Sequence, residues 1–252
     1  MTTRYIKQSV ADAVGTVRIE RPEKRNALSP EVLGEIETVF TEISGREDIR
    51  VVVLTGGEKL FSAGFDLDFL QTVGKDGNAE FIALFHRAYK AILYCPQPVI
   101  AAVGGPAIAG GFDLTMMCDI RYASERAKFG QREIALALTP ILDPLWRIIG
   151  LGRALEVALS GRIYGAEEAA QMGYVSRVFP SGQLLDNVLP LARTMATYDR
   201  ICLQETKQLG QRLLDQDLES AMKTQEWLFR DYLGAPENRE RVKGLLEQLK
   251  KK

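Results

Sequence analysis

Residues 98–119 read PVIAAVGGPAIAGGFDLTMMCD, and this stretch decides the fold. Val99 to Val103 is an unbroken apolar run of the length of a buried strand. Gly104-Gly105-Pro106 ends it, and Ala109-Gly110-Gly111 leads into an apolar helix with Asp113 in its first turn. A strand, a small-residue loop and a helix start leave main-chain N–H groups facing outward. Two readings stay open on these residues alone. One is a tight strand-to-helix turn with Asp113 as a cap. The other is an oxyanion hole, which needs a second donor from elsewhere in the chain. The stretch contains neither G-x-x-x-x-G-K-[ST] nor G-x-G-x-x-G, so no phosphate loop or dinucleotide fingerprint is present in it.

Working outward, strand, loop and helix recur. Residues 13–20, AVGTVRIE, alternate β-branched side chains and predict a strand. A polar loop from Arg21 to Asn26 follows, and Ser29-Pro30 predicts the start of a helix that Gly45 stops. Val51 to Leu54 is a second fully apolar strand. Residues 59–70 pass through Ala63-Gly64 into a short helical turn, and an amphipathic helix runs from about Glu80 to Leu93. Strands apolar on both faces predict parallel crossover connections in an α/β fold. Downstream, residues 120–123 and 128–131 are extended pieces, and Pro140 and Pro144 break the apolar run over 134–149. Short helices over 153–159 and 166–172 precede a last strand over 175–179. From Leu184 the chain is helical, with a break at Gly234-Ala235-Pro236.

Composition narrows the function classes. The chain has 252 residues, 46% hydrophobic and 26% charged, ordinary for a globular protein of one large domain or a domain with a tail. A net charge of −1 argues against an undirected nucleic-acid binder. Cys95, Cys118 and Cys202 are widely spaced and odd in number, with no metal-ligand spacing, so a reduced, cytoplasmic-type compartment is expected. His86 is the single histidine and cannot build a His-rich metal site; no metal is expected. MTTRYIKQSV has no apolar signal segment, and no run reaches membrane-spanning length, so no membrane association is expected.

Four segments stand at a joint spacing: RPEKRNALS at 21–29, FSAGFDL at 61–67, PAIAGGFDLTMMCDIRYAS at 106–124 and AKFGQREIAL at 127–136. Together they resemble the enoyl-CoA hydratase/isomerase, or crotonase, family, and looser similarity continues through residues 152–180 into the C-terminal helices. The resemblance implies a spiral of ββα units forming two roughly perpendicular sheets over residues 1–195, which carry the active site. It implies a helical region over 196–252 that mediates assembly into trimers or dimers of trimers. The shared chemistry is stabilisation of an acyl-CoA thioester enolate by two backbone N–H groups, which fall here on Phe65 and Gly110.

The two carboxylates of the hydratases fall on Asp113 and Glu133. Two acids at one carbonyl suit addition of water to a double bond, because one takes a proton from water and the other returns one to the α-carbon. Asp113 stands where typical hydratases carry glutamate, and aspartate there also resembles the dienoyl-CoA isomerases. Asp143 lies near the third acid of those isomerases, in a loop, ALALTPILDPLWRIIG, that lacks the usual glycine-rich stretch. Leu138, Ile141 and Trp146 are expected to line the acyl pocket. The backbone of Ala63, Asp66 and Leu67, with the cations of Lys24 and Arg25, is expected beside the nucleotide of CoA. No cofactor is implied beyond the CoA that the substrate carries. Three functions are therefore weighed: an enoyl-CoA hydratase first, a double-bond isomerase second, and a non-catalytic acyl-CoA binder as a reading of another class.

Overall fold

The computed structural model describes residues 3–213 and 215–250. Residues up to Gln204 form one compact unit and those from Glu205 a second. The first is built on a six-stranded sheet in the order β1 (Ile6–Ala11), β2 (Val14–Ile19), β3 (Val51–Thr55), β4 (Val99–Val103), β6 (Ile120–Ser124) and β9 (Arg177–Phe179). β1 and β2 are antiparallel, and every later pairing is parallel. β3 and β4 are buried along their whole length, which explains their unbroken apolar sequences. A smaller sheet joins β5 (Pro106–Ile108), β7 (Lys128–Gly130) and β8 (Tyr164–Gly165).

Helices connect these strands. α1 (Pro30–Ser44) starts at Ser29, whose hydroxyl accepts the Val32 N–H, and ends at Gly45. Its buried side chains, Val32, Leu33, Ile36, Val39, Phe40 and Ile43, follow the helical period into the core. α2 (Leu67–Leu70) and α3 (Asn78–Leu93) come next, then α4 (Gly110–Met116), which is buried throughout. α5 (Leu145–Ile149), α6 (Leu151–Ser160), α7 (Ala166–Gln171) and α8 (Leu184–Ala196) follow. α8 places Leu184, Val188 and Ala192 against the sheet residues Val51, Val53, Ile100 and Ala102. The unit runs to Gln204, and within it the Arg50 guanidinium donates to the carbonyls of Ala196 and Tyr198.

Several elements were not anticipated from sequence, β5, β8 and α5 among them, and two further differences have a clear physical reason. β1 went unpredicted because only Ile6 of its six residues is buried, so it shows no alternation. The C-terminal part holds α9 (Arg200–Leu213), α10 (Leu218–Tyr232) and α11 (Pro236–Leu249) after α8, where only one break was expected. The two additional starts are marked by Asp199, whose carboxylate accepts the Cys202 N–H ahead of α9, and by Asp217, whose carboxylate accepts the Ser220 N–H and caps α10.

Candidate active site

Main-chain hydrogen bonds bring two distant loops together. The Ile108 N–H donates to the Ser62 carbonyl at 3.0 Å, and the N–H groups of Phe61 and Ser62 both donate to the Pro106 carbonyl. The Ala109 N–H donates to the Gly130 carbonyl at 2.8 Å, which fixes the turn before α4 from its other side. Leu28 bridges Phe65, its N–H donating to Gly64 and its carbonyl accepting from Asp66. The buried Asn26 amide donates to the Phe61 carbonyl at 3.0 Å, so the RPEKRN loop supports the same strand end.

The fit between the loops requires glycine. At Gly64, φ is +94°, and a Cβ there would lie 2.7 Å from the Ile108 carbonyl oxygen and 3.2 Å from the Gly110 nitrogen. The peptide leading to Phe65 is thus packed directly on the start of α4. At Gly110 a Cβ would lie 3.2 Å from both the Phe65 ring and the Tyr89 hydroxyl. Among the described residues, no backbone carbonyl accepts the N–H of Phe65 or of Gly110. Ala109, just before, is held at φ 51° and ψ −128°, a conformation that a non-glycine residue adopts only when its surroundings impose it.

A cavity of about 720 Å³ lies beside this junction. Asp113 and Glu133 both line it, among apolar side chains from Phe65, Phe81, Phe85, Leu138 and Ile141, with Gln71, Lys75, Asn78 and Thr139 also on its walls. Asp113 does not cap α4. Its carboxylate is buried and accepts long hydrogen bonds from the Tyr89 hydroxyl and the Gln131 amide, each 3.4 Å. Glu133 opens the short 3-10 turn Glu133–Leu136, and neither of its buried carboxylate oxygens has a hydrogen-bond partner among the described residues. Such an orphaned acid is costly in a folded protein and marks a place where a ligand or water completes the site.

Burial pushes both acids up from the ordinary carboxylate range. Asp113 rises well above it, first through burial and then through the negative charge of Glu133. Two acids that discourage each other's ionisation share a proton over a range in which isolated ones would both be charged. The deeper Asp113 retains that proton longer.

The other expected site residues divide. Leu67, Leu138 and Ile141 line the cavity. Asp66 is buried, pairs with Arg21 at 2.6 Å and caps α2. Burial raises its carboxyl, but Arg21 and two backbone N–H groups outweigh that and hold it below the usual range. The N–H groups of Ala63 and Asp66 donate to the carbonyls of Arg25 and Leu28 at 3.1 and 3.2 Å. Lys24 and Arg25 are exposed, and Lys24 pairs with Asp68 at 2.6 Å. Asp143 and Trp146 are not brought to the cavity. Asp143 is exposed and paired with Arg147 at 3.0 Å, and Trp146 lies under the Arg147 guanidinium. α5 directs Leu145 and Ile149 into the core, which turns the neighbouring Trp146 outward. No set of His, Cys, Asp or Glu side chains among the described residues is grouped to hold a metal ion.

Sequence reasoning placed α3 as an amphipathic helix but gave it no part in the site. Its Phe81, Phe85 and Tyr89 recur every four residues on one face, and that spacing was the available signal. Phe65 packs edge-on against Phe81 at 5.3 Å and tilted against Phe85 at 5.4 Å, which ties the loop to the helix. His86, on the same helix, is exposed and stacks on Phe85.

Two N–H groups with no backbone acceptor among the described residues stand beside a pair of raised carboxyls, an arrangement that can meet a carbonyl oxygen gaining negative charge. Residues 9–252 match the enoyl-CoA hydratase/isomerase family. The chain is 30% identical to the short-chain-enoyl-CoA hydratase of Clostridium acetobutylicum, over 94% of this chain and 92% of that one. It is also 30% identical to the crotonyl-CoA hydratase of Syntrophomonas wolfei, over 95% and 94%. The crystal structure of an enoyl-CoA hydratase from Bacillus anthracis superposes with a TM-score of 0.93 at 30% identity, covering 97% of each chain. The chain belongs to the enoyl-CoA hydratase/isomerase family and has the crotonase fold.

Proposed function

We propose that the protein is an enoyl-CoA hydratase that adds water across the α,β double bond of a 2-enoyl-CoA thioester. The observation that carries this reading is the placement of Asp113 and Glu133 on one largely apolar cavity beside two N–H groups that no backbone carbonyl among the described residues accepts. The thioester oxygen sits between the N–H groups of Phe65 and Gly110, which meet the charge of the enolate without reorganising. Ionised Glu133 takes a proton from water as its oxygen bonds to the β-carbon. Protonated Asp113 delivers a proton to the α-carbon as the enolate collapses. One proton is taken and one returned, so the pair is left with its proton on Glu133 and resets by exchange with solvent.

The acyl group lies among Phe81, Phe85, Leu138 and Ile141, all of which line the cavity. Lys24 and Arg25 stand near the nucleotide as exposed cations, and no cofactor besides the substrate's own CoA is needed. The isomerase reading loses one of its motivations with Asp143 at the surface. Assembly as a trimer or dimer of trimers is supported by exposed apolar side chains on α10 and α11, including Trp227, Phe229 and Leu245. A reducing, cytoplasmic-type compartment fits three widely spaced cysteines of odd number, and no helix among the described residues is long and apolar enough to cross a membrane.

The test is incubation with crotonyl-CoA and longer 2-enoyl-CoAs, followed by loss of the conjugated thioester absorbance. Hydration of any of them supports the reading. Carbon deuteration without net hydration would replace it by isomerisation. Tight binding without any reaction, surviving the pair Asp113→Asn and Glu133→Gln, would replace it by a non-catalytic binder.

A further inference from the structure

Tyr89 lies one helical turn beyond the two phenylalanines of α3 that line the cavity, and it is only 3% exposed. Its hydroxyl is 3.3 Å from the Gly110 carbonyl oxygen and 3.4 Å from Asp113 Oδ2. The other partner of the Asp113 carboxyl among the described residues is Gln131, whose amide N–H₂ is shared with the Ile141 carbonyl. An amide N–H only donates, and it serves a carboxylate but not a carboxyl proton. A phenol both donates and accepts.

We propose that Tyr89 is a positioning residue that keeps the Asp113 carboxyl aimed into the cavity in both of its protonation states. When Asp113 is ionised, the phenol O–H donates to it. When Asp113 carries the proton, the phenol oxygen accepts from it and turns its own O–H to the Gly110 carbonyl. The phenol keeps its proton throughout, and burial holds its ionisation well above the ordinary tyrosine range. The proposal rests on reading Asp113 as one of the two acids. The groups that face Asp113 are Glu133 from the 3-10 turn, Tyr89 from α3 and, beyond them, Tyr174, whose hydroxyl is bonded to Thr115 and whose ring lies under the Arg121 guanidinium.

The experiment compares the parent with Tyr89→Phe, Asp113→Asn and the double variant, with crotonyl-CoA across pH. A second arm places 3-fluorotyrosine at position 89, which keeps the ring's shape and strengthens the O–H as a donor. A third arm follows the Asp113 carboxyl band by infrared difference against Asp113→Asn, with no substrate present.

Tyr89→Phe is expected to lower kcat about 10- to 100-fold, leave KM within about twofold, and move the alkaline limb of kcat upward, because the ionised acid loses a donor. Fluorotyrosine is expected to move that limb downward. In the Asp113→Asn background Tyr89→Phe is expected to cost nothing more. The infrared titration is expected to shift the same way as the kinetic limb. Equal losses in both backgrounds, with an unmoved infrared titration, would overturn the proposal and leave Tyr89 as a packing residue. If the parent shows no hydration, the hydratase reading fails, and the infrared arm alone decides Tyr89.

Discussion

One wall of the cavity, made by residues 62–65 and 108–113, is buried at Ser62, Gly64 and residues 110–113 and is laced by main-chain hydrogen bonds to residues 28, 106 and 130. The facing wall, residues 136–141, exposes Leu136 by 51% and Leu138 by 47%, and it ends in a surface loop tied by the Asp143–Arg147 pair. The first wall carries the N–H groups and Asp113, whose positions must match a reacting oxygen and carbon. The second carries apolar side chains that need only exclude water and fit an acyl group. Glu133 stands at their join, with its backbone carbonyl accepting from Leu138 at 3.1 Å. On the proposed reading, the parts that meet charge are fixed by backbone, and the parts that contact the acyl group are side chains on a surface loop.

This contrast breaks first at the acids. Glu133→Gln is expected to lower kcat for crotonyl-CoA by about 10²–10⁴, with the fold retained, as measured by steady-state hydration. Gly110→Ala comes next. The added methyl meets the Phe65 ring and the Tyr89 hydroxyl at 3.2 Å, so the donor is displaced and kcat is expected to fall about 10²-fold with thioester binding largely kept.

Asp113→Asn separates stability from activity. Asp113 is raised in the folded protein, so its folded form holds a proton that the unfolded chain has released. Stability therefore falls as pH rises from the unfolded carboxyl's value through the folded one. The asparagine variant is expected to lose hydration yet melt at a higher temperature than the parent, and the gap is expected to widen toward alkaline pH. Thermal melts across pH check both the sign and the slope.

Asp143→Asn, on the exposed wall, is the smallest. The loss of a solvent-exposed i,i+4 pair is expected to change stability by less than about 0.5 kcal/mol and to leave kcat/KM unchanged. A large kcat loss there would show that the surface loop reaches the chemistry.

The same contrast explains what the sequence revealed. Val51 to Leu54, Val99 to Val103 and the Ser29-Pro30 start were legible because local pattern and tertiary burial agree at those places. Phe65, Gly110, Asp113 and Glu133 were legible as motifs, but their meeting depends on hydrogen bonds between segments some forty residues apart, which no local pattern contains. Asp143 and Trp146 lie beside residues that do reach the cavity, and which neighbour turns inward is settled by how α5 packs. Tyr89 was hidden because amphipathic spacing tells which face of α3 is covered and not what covers it.

The central claim is that one thioester oxygen sits between two main-chain donors contributed by separate loops. A crystal structure with a non-reactive acyl-CoA tests it most directly. The oxygen is predicted within about 2.7–3.1 Å of the backbone nitrogens of both Phe65 and Gly110, with its α-carbon facing Asp113. A thioester carbonyl bound elsewhere in the cavity, with either N–H turned to water, would contradict it.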